Sequence, residues 1–265
     1  CAAIHGSDVT VYDSFPGMPE KIKAWEEEYL AGRIAKGRMT EEQAAEVKTR
    51  FAVCDDMKAA AADADLIIEA IVEVYEAKAK LFRELDAVIR PDAIVATNSS
   101  YMVSSLFKDC FADPSRLCNC HFYNPALVMK FVEVVQGEHT SDAVGTAVYE
   151  FCKSIGKTPI LMKKEISGFA ANRIISVINA EARYLVQNGY LTPQEVDIAC
   201  EQGLNHPMGP FRLMDLTGID LTYDLMKAGV AAGGEKPDCY DLIESMVKEG
   251  KLGRKSGEGF YKYDK

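Results

Sequence analysis

The residues best suited to chemistry lie in two neighbouring stretches, Cys120-His121-Phe122-Tyr123-Asn124-Pro125 and Phe131-Val132-Glu133-Val134-Val135. A lone carboxylate inside an apolar, β-branched run either points to solvent or is buried with a partner, because an unpaired buried carboxylate is too costly. Glu133 therefore asks for a cation or a donor. His121 stands at the end of another strand-like run, 116–122, and Pro125 falls in the connection between the two, where it helps turn the chain. Neighbouring strands joined in this way would bring imidazole and carboxylate within hydrogen-bond range. A histidine oriented by a carboxylate is the usual construction of a general base near neutral pH. The same spacing suits a purely structural pair, so the rest of the chain has to decide between the two.

The elements that must position this pair alternate. Residues 1–6 read as the tail of a helix stopped by Gly6, and 9–13 as a strand ending in Asp13. Residues 20–50 form a helical hairpin broken near Lys36-Gly37-Arg38, with a capping box, Thr40-Glu41-Glu42-Gln43, opening its second helix. Then come a short strand (51–54), an alanine-rich helix, a strand (65–71), a helix (75–89) and a strand (93–97) closed by Asn98-Ser99-Ser100. Apolar strands alternating with helices specify a parallel sheet covered on both faces, with ligands collecting at the carboxyl ends of the strands. Glu69 and Glu73, Asn98 and Ser100, and His121 and Asn124 close successive strands and should converge on one rim. Beyond Glu133 the pattern gives a helix (141–155), a stop at Gly156-Lys157 and a last strand (158–162). From Gly168 onward the chain is helical, with one helix to about 186 and three more segments beginning near Thr192, Pro210 and Asp238. The expected fold is α/β, a Rossmann-like mostly parallel sheet domain over 1–164 followed by an all-α domain over 165–265.

Composition narrows the function classes. The chain has 265 residues, 48% of them hydrophobic, which is enough for one large or two ordinary domains with real cores. A net charge of -10 argues against nucleic-acid binding, although it leaves room for a local basic pocket. No run of eighteen apolar residues and no signal-peptide pattern occurs, so the reading is a cytoplasmic protein with no membrane partner. The eight cysteines are scattered without a C-x-x-C pair, and with only four histidines neither a zinc site nor a disulfide framework is indicated. Most should be buried thiols packing as small hydrophobes.

Six ordered motifs carry a family resemblance. They are Ala96-Thr97-Asn98-Ser99-Ser100, His121-Phe122-Tyr123-Asn124-Pro125, Phe131-Val132-Glu133-Val134, Gly168-Phe169-Ala170-Ala171-Asn172-Arg173, Pro207-Met208-Gly209-Pro210-Phe211 and Gly257-Glu258-Gly259-Phe260-Tyr261. Over essentially its whole length the chain resembles the L-3-hydroxyacyl-CoA dehydrogenases, in particular the bacterial 3-hydroxybutyryl-CoA branch. The resemblance implies an NAD-dependent oxidoreductase interconverting (S)-3-hydroxyacyl-CoA and 3-oxoacyl-CoA, assembled as a homodimer through its helical domain. It makes His121 the general base and Glu133 its orienting partner, with Ser100 and Asn172 as polar substrate-site residues and Asn124 holding the site around the histidine. Asp13, Glu73, Lys78 and Asn98 become the cofactor-binding set, with Asp13 on the adenosine ribose and Glu73 and Lys78 near the nicotinamide. Because Asn172 belongs to the helical domain, the site is expected to straddle the two domains.

Other readings stand beside these. On its own a strand-end Asp13 more often caps the next helix, and Arg33, Lys36 and Arg38 are most often a solvated helix face, although a phosphate-bearing acyl-CoA thioester could use them. The apolar stripe Ile174, Ile175, Ile178, Ala182 and Leu185 is core or subunit interface, and Pro210 falls in the first turn of a helix. No G-x-G-x-x-G occurs, and a first strand with its glycine-rich loop is missing ahead of Asp13. Weak NAD binding and exposed strand edges in the N-terminal half are the expected consequences. They keep open a non-catalytic acyl-CoA binder or structural dimer, and a dehydrogenase of free hydroxy acids is a third reading.

Overall fold

A computed structural model describes residues 1–264. Its first part alternates strand and helix: β1 (Val9–Tyr12), α1 (Met18–Ala35), α2 (Glu41–Arg50), β2 (Phe51–Cys54), α3 (Met57–Ala61), β3 (Leu66–Glu69), α4 (Tyr75–Asp86), β4 (Ile94–Thr97), β5 (Leu117–Phe122), β6 (Phe131–Val135), α5 (Asp142–Ser154) and β7 (Thr158–Met162). Local chemistry sets several helix starts. Thr40 and Gln43 form a reciprocal capping box at α2, and the Asp56 and Ser141 side chains accept the first free N–H groups of α3 and α5.

The strands fall into two sheets, not one: β1-β2, and β3-β4-β5-β6-β7. Every neighbouring pair is parallel except β5 and β6. A strand edge is satisfied only by a partner about 4.8 Å away. Among the described residues none pairs with the second edge of β1 or of β3, and Tyr12 and Ile68 are left exposed. The larger sheet is covered on both faces. Phe82 and Leu85 of α4, Phe107 and Phe111 pack with Val95 and Leu117 on one side, while Val144, Val148 and Cys152 of α5 pack with Ala96, Cys118, Cys120, Val132 and Val134 on the other. The alternation of Val95 and Ala96 between the two clusters is the strand period of two. Burial pushes the Cys118 thiol up to about 12, so it packs as a neutral hydrophobe.

The first unit runs further than the sequence pattern suggests, to Phe169, with the second beginning at Ala170. Side-chain bonds explain the shift from the expected break at 164. Glu165 accepts the Ser104 hydroxyl at 2.7 Å and the Ser105 N–H at 2.9 Å, the Ser167 hydroxyl donates to the Tyr101 carbonyl, and Phe169 is fully buried. The connection thus belongs to the sheet domain.

The second unit contains α6 (Ala171–Gln187), α7 (Pro193–Ile198), α8 (Pro210–Thr217), α9 (Ile219–Ala231) and α10 (Tyr240–Lys248). Residues 210–231, expected as one helical segment, are two. Gly218 at φ 106° breaks them, a conformation few L-residues adopt. Pro210 is in the first turn of α8, as its fixed φ favours. Two buried aspartates tie this unit together. Asp197 accepts the first N–H groups of α8, from Phe211 and Arg212, and the Tyr261 hydroxyl. Asp215 accepts the N–H groups of Phe260 and Tyr261 and the Tyr263 hydroxyl. The Pro207–Phe211 and Gly257–Tyr261 motifs therefore serve architecture: they present backbone donors to buried carboxylates. Gly259 lies so close that an added Cβ would sit 2.1 Å from Asp215 Oδ1. Since that carboxylate is pinned by three donors, Gly259→Ala should cost about 2 kcal/mol through overpacking, measured as a lowered urea midpoint with an unchanged slope.

Candidate active site

The antiparallel pairing of β5 with β6 sets the site. Its register places His121 directly opposite Glu133, so both side chains leave the same face of the sheet. His121 Nδ1 is 2.9 Å from Glu133 Oε2, the histidine is nearly buried, and the glutamate is completely buried. A carboxylate can only accept, so Nδ1 carries the proton and Nε2 is the open, basic nitrogen. Nε2 is 3.2 Å from Ser100 Oγ, which donates to it. The ring is walled by Tyr123 and Phe169, with centroids 4.6 Å and 5.5 Å away. With a fixed tautomer and Nε2 facing the Ser100 hydroxyl, this arrangement suits acid–base chemistry at nitrogen.

Ser100 is held by a second carboxylate. Glu73 Oε1 accepts the N–H groups of Ser100, Tyr101 and Met102 at 3.2, 3.1 and 3.3 Å, and its Oε2 is 3.5 Å from Lys78. Burial alone would raise the Glu73 carboxyl, but the Tyr101 N–H, the Ser99 hydroxyl, Lys78 and the Met102 N–H together hold it below the ordinary range. From the other side the fully buried Asn119 accepts from Ser104 N–H and donates to the Met102 carbonyl. Below lies a buried network in which Lys78 Nζ is 2.7 Å from Glu69 Oε1 and the Thr97 hydroxyl donates to Glu69 Oε2 at 2.6 Å.

The structure treats the sequence-derived residues unequally. His121, Glu133, Ser100 and Glu73 come together as a connected set. Asn98 is beside them, its side-chain oxygen accepting the Phe122 N–H and so tying the ends of β4 and β5. Lys78 is 1% exposed and turned toward Glu69 and Glu73, so it reaches any ligand through Glu73 and not by contact. Asn124 is exposed with no side-chain hydrogen bond among the described residues. The support expected of it comes from Ser100 and from Tyr123, whose hydroxyl donates to Glu133 Oε2 at 2.8 Å. Asp13 uses Oδ1 to accept the Phe15 N–H in a tight turn. Asn172 lies in the first turn of α6, in the second unit. Arg33, Lys36 and Arg38 line a cleft of about 470 Å³ with Trp25, Tyr29, Leu127 and Val128. Glu69 is expected at the rim from its place at a strand end, whereas Asn119 and the roles of Tyr123 and Thr97 escape the sequence reading. Asn119 and His121 alternate along β5 and Tyr123 continues the spacing just past its end, a period-two polar signal that the apolar neighbours masked.

Comparisons with known proteins identify the family. Residues 1–166 match the family model for the 3-hydroxyacyl-CoA dehydrogenase NAD-binding domain, and 168–263 that for the C-terminal domain of the same family. A probable 3-hydroxybutyryl-CoA dehydrogenase of Deinococcus radiodurans is 36% identical over 99% of this chain and 94% of its own. The 3-hydroxybutyryl-CoA dehydrogenase of Clostridioides difficile is 34% identical over 98% and 92%. The crystal structure of (S)-3-hydroxybutyryl-CoA dehydrogenase from Ralstonia eutropha superposes with a TM-score of 0.87 at 30% identity, covering 99% of this chain and 93% of that one. With its α/β sheet, helical second unit and buried histidine–carboxylate pair, the chain is an NAD-linked oxidoreductase by class. It belongs to the 3-hydroxyacyl-CoA dehydrogenase family.

Glu73 gives the site a testable pH dependence. Its carboxyl titrates lower in the folded protein than in the unfolded chain, so its contribution is complete above about pH 4.3 and fades as pH falls through the folded value. Glu73→Gln should reproduce that loss at neutral pH. Hydrogen exchange at the amides of Ser100, Tyr101 and Met102 is expected to quicken about tenfold, corresponding to roughly 1.4 kcal/mol, while the amides of β5 remain protected.

Proposed function

We propose that this chain interconverts (S)-3-hydroxyacyl-CoA, with 3-hydroxybutyryl-CoA as the favoured substrate, and 3-oxoacyl-CoA. The observation that carries the reading is the open Nε2 of His121, oriented from behind by a fully buried Glu133 and faced by the Ser100 hydroxyl. A non-catalytic binder would have no use for so complete an acid–base arrangement. The donor set at the strand ends suits the nicotinamide half of NAD. Glu73 keeps its carboxylate about one-third exposed, and the Asn98 amide nitrogen has no protein acceptor among the described residues. Asp13 remains the candidate for the ribose hydroxyls, through the oxygen its turn does not use. When bound, NAD supplies the hydride acceptor for C3.

The protein's own part is proton management. His121 Nε2 takes the proton of the 3-hydroxyl, Glu133 stabilises the imidazolium that results, and the Ser100 hydroxyl aligns the substrate oxygen. In the reverse direction the imidazolium returns the proton. Asn172 is assigned a polar contact to the thioester substrate.

The cleft beside α1 suits the 3′-phosphate and diphosphate of coenzyme A. Three cations lie beside Trp25 and Tyr29, which stack at 5.3 Å and offer an exposed ring to a base. A homodimer is supported by α6, which exposes Ile174, Val177 and Tyr184 at three-and-four spacing. No helix is long and apolar enough to cross a membrane among the described residues, and all eight cysteines are free thiols, as suits a cytoplasmic protein.

Two measurements test the reading. Acetoacetyl-CoA-dependent oxidation of NADH should proceed with the native chain and fall about 10³-fold in kcat with His121→Ala, the range for loss of a general acid–base group. Failure of the native chain to turn over, with the thioester still bound, would return the non-catalytic binder to first place. The double substitution Lys36→Glu and Arg38→Glu should raise KM for the CoA thioester at least tenfold, about 1.4 kcal/mol per decade. It should leave KM for a truncated pantetheine thioester unchanged, and equal effects on both would remove the cleft from the binding site.

A further inference from the structure

Glu133 Oε2 serves two donors at once, the His121 Nδ1–H at 2.9 Å and the Tyr123 hydroxyl at 2.8 Å. The phenol belongs to this position. Its ring packs against the imidazole at 4.6 Å and against Phe131 at 5.5 Å. It is held neutral because burial, the hydrogen bond to Glu133, the charge of Glu133 and the nearby Tyr101 all push its ionisation up. It is therefore a fixed hydrogen-bond donor throughout the working pH range.

We propose that Tyr123 is a positioning residue that sets the proton affinity of His121 by sharing the single carboxylate oxygen that orients it. A donor on Oε2 draws negative charge toward the phenol and leaves less of it to stabilise a proton on the imidazole. Tyr123 thus divides the charge of Glu133 between two donors. It also fixes the position of the carboxylate along its hydrogen-bonding edge, so the imidazole cannot rotate away from Ser100. The groups facing the histidine are few. Glu133 comes from β6, Ser100 and Tyr101 from the loop after β4, Tyr123 from the turn after β5, and the uncharged Phe169 from the end of the first unit. Behind Ser100 are Glu73 and Lys78, already paired with each other.

This inference rests on His121 being the base under Proposed function, so its test includes a readout that does not need turnover. Tyr123→Phe removes one oxygen and preserves the ring. In the variant, the His121 imidazole titration followed by NMR should move upward by roughly half a unit to one unit, an effect of the size one hydrogen bond to a charged group produces. The acidic limb of the kcat/KM profile should move with it, with little change in KM on the alkaline plateau. Introduced into a Glu133→Gln background, the same substitution should shift nothing, because the shared charge is gone. An unmoved imidazole titration in Tyr123→Phe, or an equal shift in both backgrounds, would overturn the proposal. A shifted titration in a chain without turnover would keep it and reject the catalytic reading instead.

Discussion

A carboxylate with no solvent exposure, in the middle of a strand, constrains the rest of this protein. Glu133 is tolerated there because it is partnered, and one partner is available because the strand beside it runs antiparallel in a sheet that is otherwise parallel, so that a donor stands directly across from it. The opposing residue is His121, and the pairing register gives the imidazole its tautomer and direction. Had β6 run parallel to β5 with the slanted bonds of that arrangement, the two residues would not share one cross-strand pair. The reversal of one strand and the pairing of His121 with Glu133 are therefore one structural fact.

Carboxylates that collect several donors recur as the organising device. Glu69 pins Lys78 and Thr97 beneath the rim, Glu73 gathers three consecutive backbone N–H groups to shape the loop of Ser100, and Asp197 and Asp215 collect the donors of the helical unit. Each would be costly alone and is stabilising only as a complete set, because a donor left unsatisfied in the interior costs more than the bond contributes. This explains why two of the six sequence motifs surround architectural aspartates and not the reacting centre. A motif can be specific to a family for reasons of packing.

The His121–Glu133 pair was legible because a single charge in a β-branched run has few permitted explanations, and the alternation of strand and helix was legible because apolar periodicity reports it directly. The capping box at Thr40 and the helix start at Pro210 fall where local chemistry puts them. The resemblance assigns Asn124 a supporting role and Lys78 a place near the nicotinamide, yet one is exposed and the other is buried against Glu69. Motif membership carries no information about where a side chain points. Arg33, Lys36 and Arg38 read as a solvated helix face or a phosphate site, and the fold sets them in one cleft with Leu127 and Val128 from a distant connection.

The sequence by itself determined most of the elements, their order, the family and the pairing of His121 with Glu133, because these depend on periodicity, local capping and the cost of burying charge. The tertiary structure alone decided the split into two sheets, the bounds of the first unit, the place of Asn119 behind the loop of Ser100, and the second donor on Glu133. These depend on which distant segments meet. A hydrogen bond such as that of Tyr123 to Glu133 exists only once strand register has fixed both ends, and register is a property of the assembled sheet.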